Sequence, residues 1–302
     1  MKRIGILFLS FILCMPVVAR GDMVGYGGDL RRYVTEEEKS QFPYNTVVKI
    51  KDGGSTGTGT FVSEDVILTC RHVVNNKGPQ RPIEYYTADG KKHTGFVPNY
   101  VDDDKSETDF AWVIEEGAFS GRTLELAHNS KYSNNLMIIG YDCLKPLSND
   151  EIRIIKRLYT DWIERNGPVT ASKAFDAMVD IELQLRCNYA CSSDNQTNCV
   201  HCSGEKYCIF HDNDNMKVRT NCKVTSIFDD QIYTNCPGAY GASGSAIIDM
   251  ETGKIIGIAC EVGRMQIGQE KDAMILGTKP EYYYEHVKTW IDGLRNERNK
   301  TN

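Results

Sequence analysis

Residues 57–74 read GTGTFVSEDVILTCRHVV and contain two short β-rich runs that lead into a histidine, His72. The runs cover residues 58–62 and 66–68, and the polar turn Ser63-Glu64-Asp65 separates them. Aspartate and glycine between short β-branched runs are typical of tight turns between strands. Strands spaced about ten residues apart in this way indicate an all-β barrel or sandwich.

The same pattern extends on both sides of this stretch. Further β-rich runs cover residues 47–50, 110–114, 136–139, 246–248, 255–259 and 273–276. Apolar residues at helical spacing predict a helix over residues 150–163 and another over residues 281–298, which follows Pro280. Ser172 is predicted to cap a short third helix that ends at Met178.

The N-terminus predicts export of the chain. A basic start at Lys2 and Arg3 precedes an apolar run over residues 4–18, and small residues follow it. This run is shorter than the roughly 18–20 residues that span a bilayer, so a cleaved signal peptide over residues 1–21 is favoured over a transmembrane anchor. The expected location is therefore the extracellular space or the periplasm.

The charge of the chain argues against a nucleic-acid partner. The formal net charge is −6, and it becomes −9 once Lys2, Arg3 and Arg20 leave with the signal peptide. Phosphate contacts need a basic face, and no cluster of lysine and arginine provides one here.

The cysteines predict a set of disulfides. Ten of the 11 cysteines remain once Cys14 leaves with the signal peptide, and an even number in an exported chain is typical of disulfide pairing. Six of them lie in the polar segment 187–222, which we expect to depend on cross-links for order. Zinc-like spacing occurs there too, at Cys191, Cys199, His201, Cys202, Cys208 and His211. Export favours disulfides over zinc.

Three motifs carry residues of catalytic type, each beside an apolar strand. They are Leu68-Thr69-Cys70-Arg71-His72, Thr108-Asp109-Phe110 and Gly241-Ala242-Ser243-Gly244. A serine hydroxyl needs a base, an imidazole is a base near neutral pH, and a buried carboxylate orients and stabilises the imidazolium. We therefore predict a triad of His72, Asp109 and Ser243, with the N–H groups of Gly241 and Ser243 as the oxyanion hole. No metal or organic cofactor is expected.

In order and strand context, these motifs resemble the chymotrypsin-fold serine peptidases, above all the bacterial branch that includes the glutamyl endopeptidases. Residues 57–63 are similar to the family's glycine-rich strand, residues 257–260 to its substrate-binding strand, and residues 284–294 to its closing helix. The resemblance covers roughly residues 45–126 and 136–294, with insertions. It implies two antiparallel six-stranded β-barrels, an active site between them and a polypeptide substrate.

The resemblance also implies a division of the chain. We expect an N-terminal barrel over residues 22–126 and a C-terminal barrel over residues 127–302, with insertions within 144–235 and a terminal helix over 281–298. The polar stretch 127–135 would form the linker between the barrels. His72 and Asp109 would belong to the first barrel and Ser243 to the second.

Some positions depart from the family's pattern. Ala242 replaces the aspartate that receives a newly cut N-terminus in trypsin-like members, so we expect activity to tolerate added residues ahead of the mature N-terminus. Pro237 replaces the aspartate that selects arginine or lysine. Alignment with the substrate-binding strand places Cys260, Glu261 and Val262 along the pocket. Val262 would narrow its entrance and favour a small uncharged residue, whereas an inward Glu261 would favour a basic one.

These observations predict a secreted serine endopeptidase that works through an acyl-enzyme. The alternative is a catalytically silent secreted binding protein on the same fold. An esterase is disfavoured because apolar β-type residues, not a helix, follow Ser243. We also expect a disulfide between Cys236 and Cys260, which flank the nucleophile and the substrate-binding strand and would brace the pocket wall.

Overall fold

The computed structural model describes residues 30–52, 55–74, 81–98, 109–128, 133–142, 146–167, 177, 181, 214–228, 231–236, 238, 241–267 and 270–301. The predicted signal peptide, most of the helix predicted from Ser172 and most of the cysteine-rich segment lie outside these residues. The described part consists mainly of two β-sheets and a helix that closes the chain.

The first sheet is a closed barrel of six strands. A short strand, β1 (Arg31–Tyr33), precedes it in the chain. The barrel strands are β2 (Val47–Asp52), β3 (Ser55–Phe61), β4 (Val66–Thr69), β5 (Pro82–Tyr86), β6 (Lys92–Phe96) and β7 (Ala111–Ile114), in the spatial order β2-β3-β4-β7-β6-β5. A side chain at position 59 would collide with Ile67, so the space beside Gly59 is already filled by the barrel's core. Nearly all residues of β2 and all residues of β4 are buried, so both faces of these strands are covered.

The second sheet contains nine of the described strands and curls into a half-barrel. Its strands are β1 together with β8 (Glu125–Leu126), β9 (Leu136–Gly140), β10 (Lys217–Cys222), β11 (Val224–Phe228), β12 (Gln231–Thr234), β13 (Ala246–Asp249), β14 (Lys254–Ile267) and β15 (Glu270–Thr278). Their order is β1-β10-β9-β13-β14-β15-β12-β11, and β8 pairs in parallel with β14. The strand β1 therefore lies before the barrel in sequence but pairs with the second sheet.

Four helices are described, and two of them begin at a capping box. Thr35 and Glu38 cap α1 (Glu36–Lys39), and Ser148 and Glu151 cap α3 (Asn149–Asn166). The other two are the single turn α2 (Arg71–Val74) and the terminal helix α4 (Tyr284–Thr301). Among the helices described, none is both long enough and apolar enough to cross a membrane.

One apolar cluster joins the two sheets. It contains Leu68 and Trp112 from the barrel, Ile258 from β14, and Tyr283 and Val287 from the start of α4. All five side chains are nearly or fully buried. The terminal helix therefore packs against both sheets and holds them around a common core.

The architecture confirms the predicted all-β fold with two β units and a closing helix, and it confirms the predicted helix that became α3. The second unit differs from the predicted six-stranded barrel because β1, β8 and β10 add to it. Strands β5 and β6 were not among the predicted runs. The boundary between residues 126 and 127 stays a prediction.

Candidate active site

His72 and Asp109 meet at one end of the first barrel. His72 lies in the single turn α2, directly after β4, and Asp109 lies just before β7, which pairs with β4. The backbone N–H of His72 donates to Asp109 Oδ1 at 3.0 Å, and His72 Nδ1 makes a short contact with Asp109 Oδ2. The carboxylate thus holds the histidine by both its backbone and its ring. About half of the His72 side chain is exposed (48%), against 25% for Asp109.

Ser243 lies in the tight loop that leads into β13. Gly241 and Gly244 flank it with φ angles of 94° and 89°, which favour glycine. A side chain at position 244 would also collide with the Thr58 carbonyl and the Thr69 hydroxyl. The Ser245 N–H donates to the Ala242 carbonyl at 3.0 Å and closes the loop. The backbone therefore favours glycine at both positions 241 and 244.

Thr58 of β3 joins the serine loop to the first barrel. Its N–H donates to the Ser243 carbonyl at 2.8 Å, and its hydroxyl donates to the Gly241 carbonyl at 2.9 Å. The same hydroxyl accepts from the Tyr141 N–H at 2.9 Å. Thr58 is fully buried, so these bonds form away from water. These hydrogen bonds fix the position of the serine loop relative to β3.

Cys260 brings the second sheet to the same place. In the pairing of β14 with β15, Ala259 faces Gly277 and Glu261 faces Leu276, so Cys260 is the extra residue of a β-bulge. Its carbonyl accepts a long hydrogen bond from Ser243 Oγ at 3.5 Å. Its Sγ lies 2.8 Å from the Asp109 carbonyl oxygen and 2.8 Å from Cys70 Sγ. Contacts through Cys260 therefore link Ser243 to Asp109.

The predicted disulfide between Cys236 and Cys260 is wrong. Cys236 forms a disulfide with Cys222 at the end of β10, and Cys260 faces Cys70 across the cleft. Cys222 ends β10 two residues before Val224, which begins β11. Because β11 pairs with β12 and Val224 faces Thr234, Cys222 comes close to Cys236, which follows β12. Cys70 and Cys260 are buried thiols, and burial raises the pKa of Cys70 well above its ordinary value.

The predicted pocket residues are described only in part. Pro237 lies outside the described residues. The backbones of Glu261 and Val262 continue β14 and pair with Leu276 and Ile275, but their side chains are outside the described part.

Thr58 is the residue that the sequence-based prediction missed. The glycine-rich strand was identified from its resemblance, but the threonine within it was given no role. The available signal was a polar residue between Gly57 and Gly59 on a strand that is otherwise buried. Gly57 has no room for a side chain because Val73 occupies that space.

Comparisons with known proteins bear on the family and the fold of the chain. The family model described as a trypsin-like peptidase domain matches residues 57–258. No curated protein sequence matches the chain. A solved Glu endopeptidase in complex with MPD superposes with a TM-score of 0.52 at 18% identity, over 88% of this chain and 98% of its own. The inactive form of a serine-to-alanine mutant of Rv3671c from M. tuberculosis H37Rv superposes with a TM-score of 0.44 at 13% identity. The match covers 81% of this chain and 86% of Rv3671c.

The matched family segment begins in β3 and ends in β14, so it contains all three predicted catalytic residues. At 18% identity, the likeness to the Glu endopeptidase establishes a common fold.

Proposed function

The chain belongs to the trypsin-like peptidase domain family, whose model matches residues 57–258, and on this premise we propose that it is a secreted serine endopeptidase with Ser243, His72 and Asp109 as its triad. A serine-type hydrolase of this fold acts on polypeptides. The observation that carries the assignment is the double hold of Asp109 on His72, by the backbone N–H and by Nδ1. This hold leaves Nε2 as the basic nitrogen of the ring.

In the proposed mechanism, His72 Nε2 takes the proton of Ser243 Oγ as the hydroxyl attacks the scissile carbonyl. The Asp109 carboxylate stabilises the imidazolium that forms. The N–H groups of Gly241 and Ser243 stabilise the oxyanion, and one such donor contributes about 3–4 kcal/mol. The proton then passes from His72 to the leaving amine, and an acyl-enzyme remains on Ser243. Water activated by His72 hydrolyses this ester and restores the hydroxyl.

The proposed environment is outside the cytosol. The basic and apolar start of the sequence and the Cys222–Cys236 disulfide support it, because disulfides persist in oxidising compartments.

The proposed preference on the acyl side of the scissile bond is a small uncharged residue. Pro237 brings no charge to the pocket base, and a branched residue at Val262 in β14 would narrow the entrance. A peptide library distinguishes this preference from the alternatives. A preference for arginine or lysine on the acyl side would indicate that Glu261 points into the pocket. A preference for phenylalanine or tyrosine would show that Val262 does not narrow the entrance.

Replacement of Ser243 tests the proposed activity. Ser243→Ala should lower the kcat of peptide hydrolysis by several powers of ten. Loss of the nucleophilic serine alone typically lowers kcat about as much as loss of the whole triad. Ser245→Ala is the matched control, because Ser245 is buried two residues away and its Oγ has no hydrogen-bond partner in the described part of the chain. We expect it to retain most of the activity. Retention of more than a few per cent of activity by Ser243→Ala would refute the assignment.

A wild-type protein that folds but hydrolyses no peptide would instead favour the silent binding protein.

A further inference from the structure

Cys70 and Cys260 form a pair of buried sulfurs at the joint between the two sheets. Cys70 lies between β4 and α2, two residues before His72, and Cys260 is the bulged residue of β14 that contacts Ser243. Cys70 is fully buried and Cys260 is 6% exposed. The two residues are 190 positions apart in sequence, so only the docking of the two sheets brings them together.

The distance between the two sulfurs is 2.8 Å. Non-bonded heavy atoms normally pack at about 3.5–4.0 Å, and a disulfide bond is about 2 Å long. Two unbonded sulfurs are therefore crowded at this distance, and a small approach would bring them into covalent reach. Each thiol also points at a carbonyl oxygen, since Cys70 Sγ lies 3.0 Å from the Ala259 oxygen.

We infer that Cys70 and Cys260 form a disulfide where the two sheets meet, and that this bond holds His72 in register with the strand that contacts Ser243. The activity part of this inference rests on the proposed function, while the bond itself does not. Both cysteines would be positioning residues, because they act through His72 and the β14 backbone.

The bond forms by thiol–disulfide exchange. The two S–H bonds break and one S–S bond forms, and the two electrons and two protons pass to a disulfide oxidant, which leaves as two thiols. A thiol–disulfide oxidoreductase or a small-molecule disulfide of the export compartment is the class of oxidant required. Burial raises the pKa of Cys70, and a thiolate is the attacking species. Oxidation should therefore take place as the two sheets dock, before burial of the two sulfurs is complete, and the finished bond should resist mild reductants.

A metal ion is the competing occupant of this cluster. The Cys70 and Cys260 sulfurs and one carboxylate oxygen of Asp109 lie within 4.8 Å of one another. However, both carboxylate oxygens of Asp109 already face His72, one through the backbone N–H and one through Nδ1. Coordination of a cation would compete with that hold. The carbonyl of Asp109, rather than its carboxylate, contacts Cys260 Sγ.

The location of the bond gives it a distinct kinetic effect. On one side it joins the residue that precedes α2, and on the other it joins the bulge whose carbonyl contacts Ser243 Oγ. Loss of the bond should therefore shift His72 relative to Ser243 and leave the remote subsites for the peptide in place. A misplacement on the order of 1 Å costs up to about 100-fold in rate. We expect kcat to fall by about 10-fold to 100-fold and KM to change by less than about threefold.

Peptide mapping of the wild-type protein tests the bond directly. Free thiols are blocked in denaturant without reductant, and trypsin then yields residues 52–71 and 255–264, each with a single cysteine. The inference predicts these two peptides linked, with the mass of the pair lower by two hydrogens. The Cys222–Cys236 pair, carried by residues 220–223 and 224–254, is the internal control. Blocked thiols at Cys70 and Cys260 with this control linked would overturn the inference.

The double variant Cys70→Ser with Cys260→Ser tests the positioning role. Its kcat is measured per active site by titration with a fluorophosphonate, so that unfolded protein does not enter the rate. A fall of about tenfold or more in kcat with little change in KM supports the role. An unchanged kcat per titrated site would overturn it. Because the peptide map needs no turnover, failure of the bond and failure of the proposed peptidase activity give different results.

Discussion

The two sheets of the molecule are built in different ways. The first barrel is closed. Its buried carboxylate Asp52 forms an ion pair with Arg81, whose side chain is 17% exposed. The second sheet is open among the described strands and contains Asp142, Lys217 and Arg219, all with fully buried side chains. It also carries the Cys222–Cys236 disulfide.

This difference corresponds to a division of chemical roles. The closed barrel presents His72 and Asp109, whose contact depends on two neighbouring strands of that barrel. The second sheet presents Ser243 on a loop that needs two glycines and hydrogen bonds from Thr58 to hold its shape. In the proposed mechanism, one unit supplies the base and the other supplies the nucleophile. Under this mechanism, we expect the contacts between the units to affect the rate.

Variants of the acid–base pair should show the largest effect. His72→Ala removes the base and should lower kcat by at least about 10⁴-fold, and Asp109→Asn should cost about as much because the ring loses its correct tautomer. The first barrel should still fold in both variants, which circular dichroism and thermal melting check. His93→Ala is the matched control, since His93 contacts Glu115 in the same barrel, away from α2. Loss of activity in the control as large as in His72→Ala would show that the barrel, not the triad, limits turnover.

The buried ion pair of the second sheet should show the largest effect on stability. Arg219→Met leaves the Asp142 carboxylate with less compensation and should lower the free energy of unfolding by about 3–5 kcal/mol. Urea denaturation measures this change. Arg153→Met is the control, because the Arg153–Asp150 pair is 79% exposed on both sides and should be worth less than about 1 kcal/mol. Equal changes in the two variants would remove the proposed contrast between the sheets.

Thr58→Val tests the hydrogen bonds that join the two units. The variant keeps the shape of the side chain but leaves the buried Gly241 carbonyl and Tyr141 N–H without this partner, at about 1–3 kcal/mol each. We expect kcat/KM to fall by about 10-fold, which corresponds to about 1.4 kcal/mol. The control is Thr60→Val on the same strand, because the buried Thr60 hydroxyl has no hydrogen-bond partner among the described residues. A neutral Thr58→Val would show that the serine loop holds its own shape.

The exposed pair between β1 and α1 should show the smallest effect. The hydrogen bond from Arg32, with help from the Thr35 backbone, lowers the pKa of Glu38 to about 2. In the unfolded chain a glutamate titrates near pH 4.3, so the contribution is complete above about pH 4.3 and is lost as the pH falls through about 2. Since Arg32 is 50% exposed, Glu38→Gln should cost less than about 1 kcal/mol at pH 7. Denaturation at pH 7 and pH 2 checks this, and a difference that persists at pH 2 would contradict it.

The sequence predicted the strands whose apolar residues repeat clearly. β2, β3, β4, β9 and β13 are short β-branched runs bounded by turns, and the structure confirms them. Strand β5 begins at Pro82 and strand β6 begins at Lys92, and both contain polar residues between their apolar ones. Neither therefore shows the apolar run that identifies the other strands. Strand β10 is harder still to predict, because Lys217 and Arg219 have the sequence pattern of a surface strand, whereas in the structure both are buried and paired with Asp142.

The candidate site was predictable as far as local motifs reach. Each of His72, Asp109 and Ser243 stands beside a strand, and this context is visible in a single sequence. The contact of Cys70 with Cys260 depends on docking residues 190 positions apart, which no local pattern encodes. For the same reason, the positions of Cys236 and Cys260 around the nucleophile and the substrate-binding strand led to the wrong pairing, and the cysteine that the fold brings to Cys236 is Cys222.

Covalent labelling of the nucleophile, followed by location of the labelled residue, tests the proposed triad most directly. A fluorophosphonate reacts with a serine only where a base activates the hydroxyl. After trypsin digestion, we expect one label per chain in the peptide of residues 224–254, on Ser243 and not on Ser245. We also expect His72→Ala to be labelled at most at a trace level. Hydrolysis of peptides by a protein whose Ser243 stays unlabelled, or full labelling of Ser243 in His72→Ala, would contradict the proposed triad.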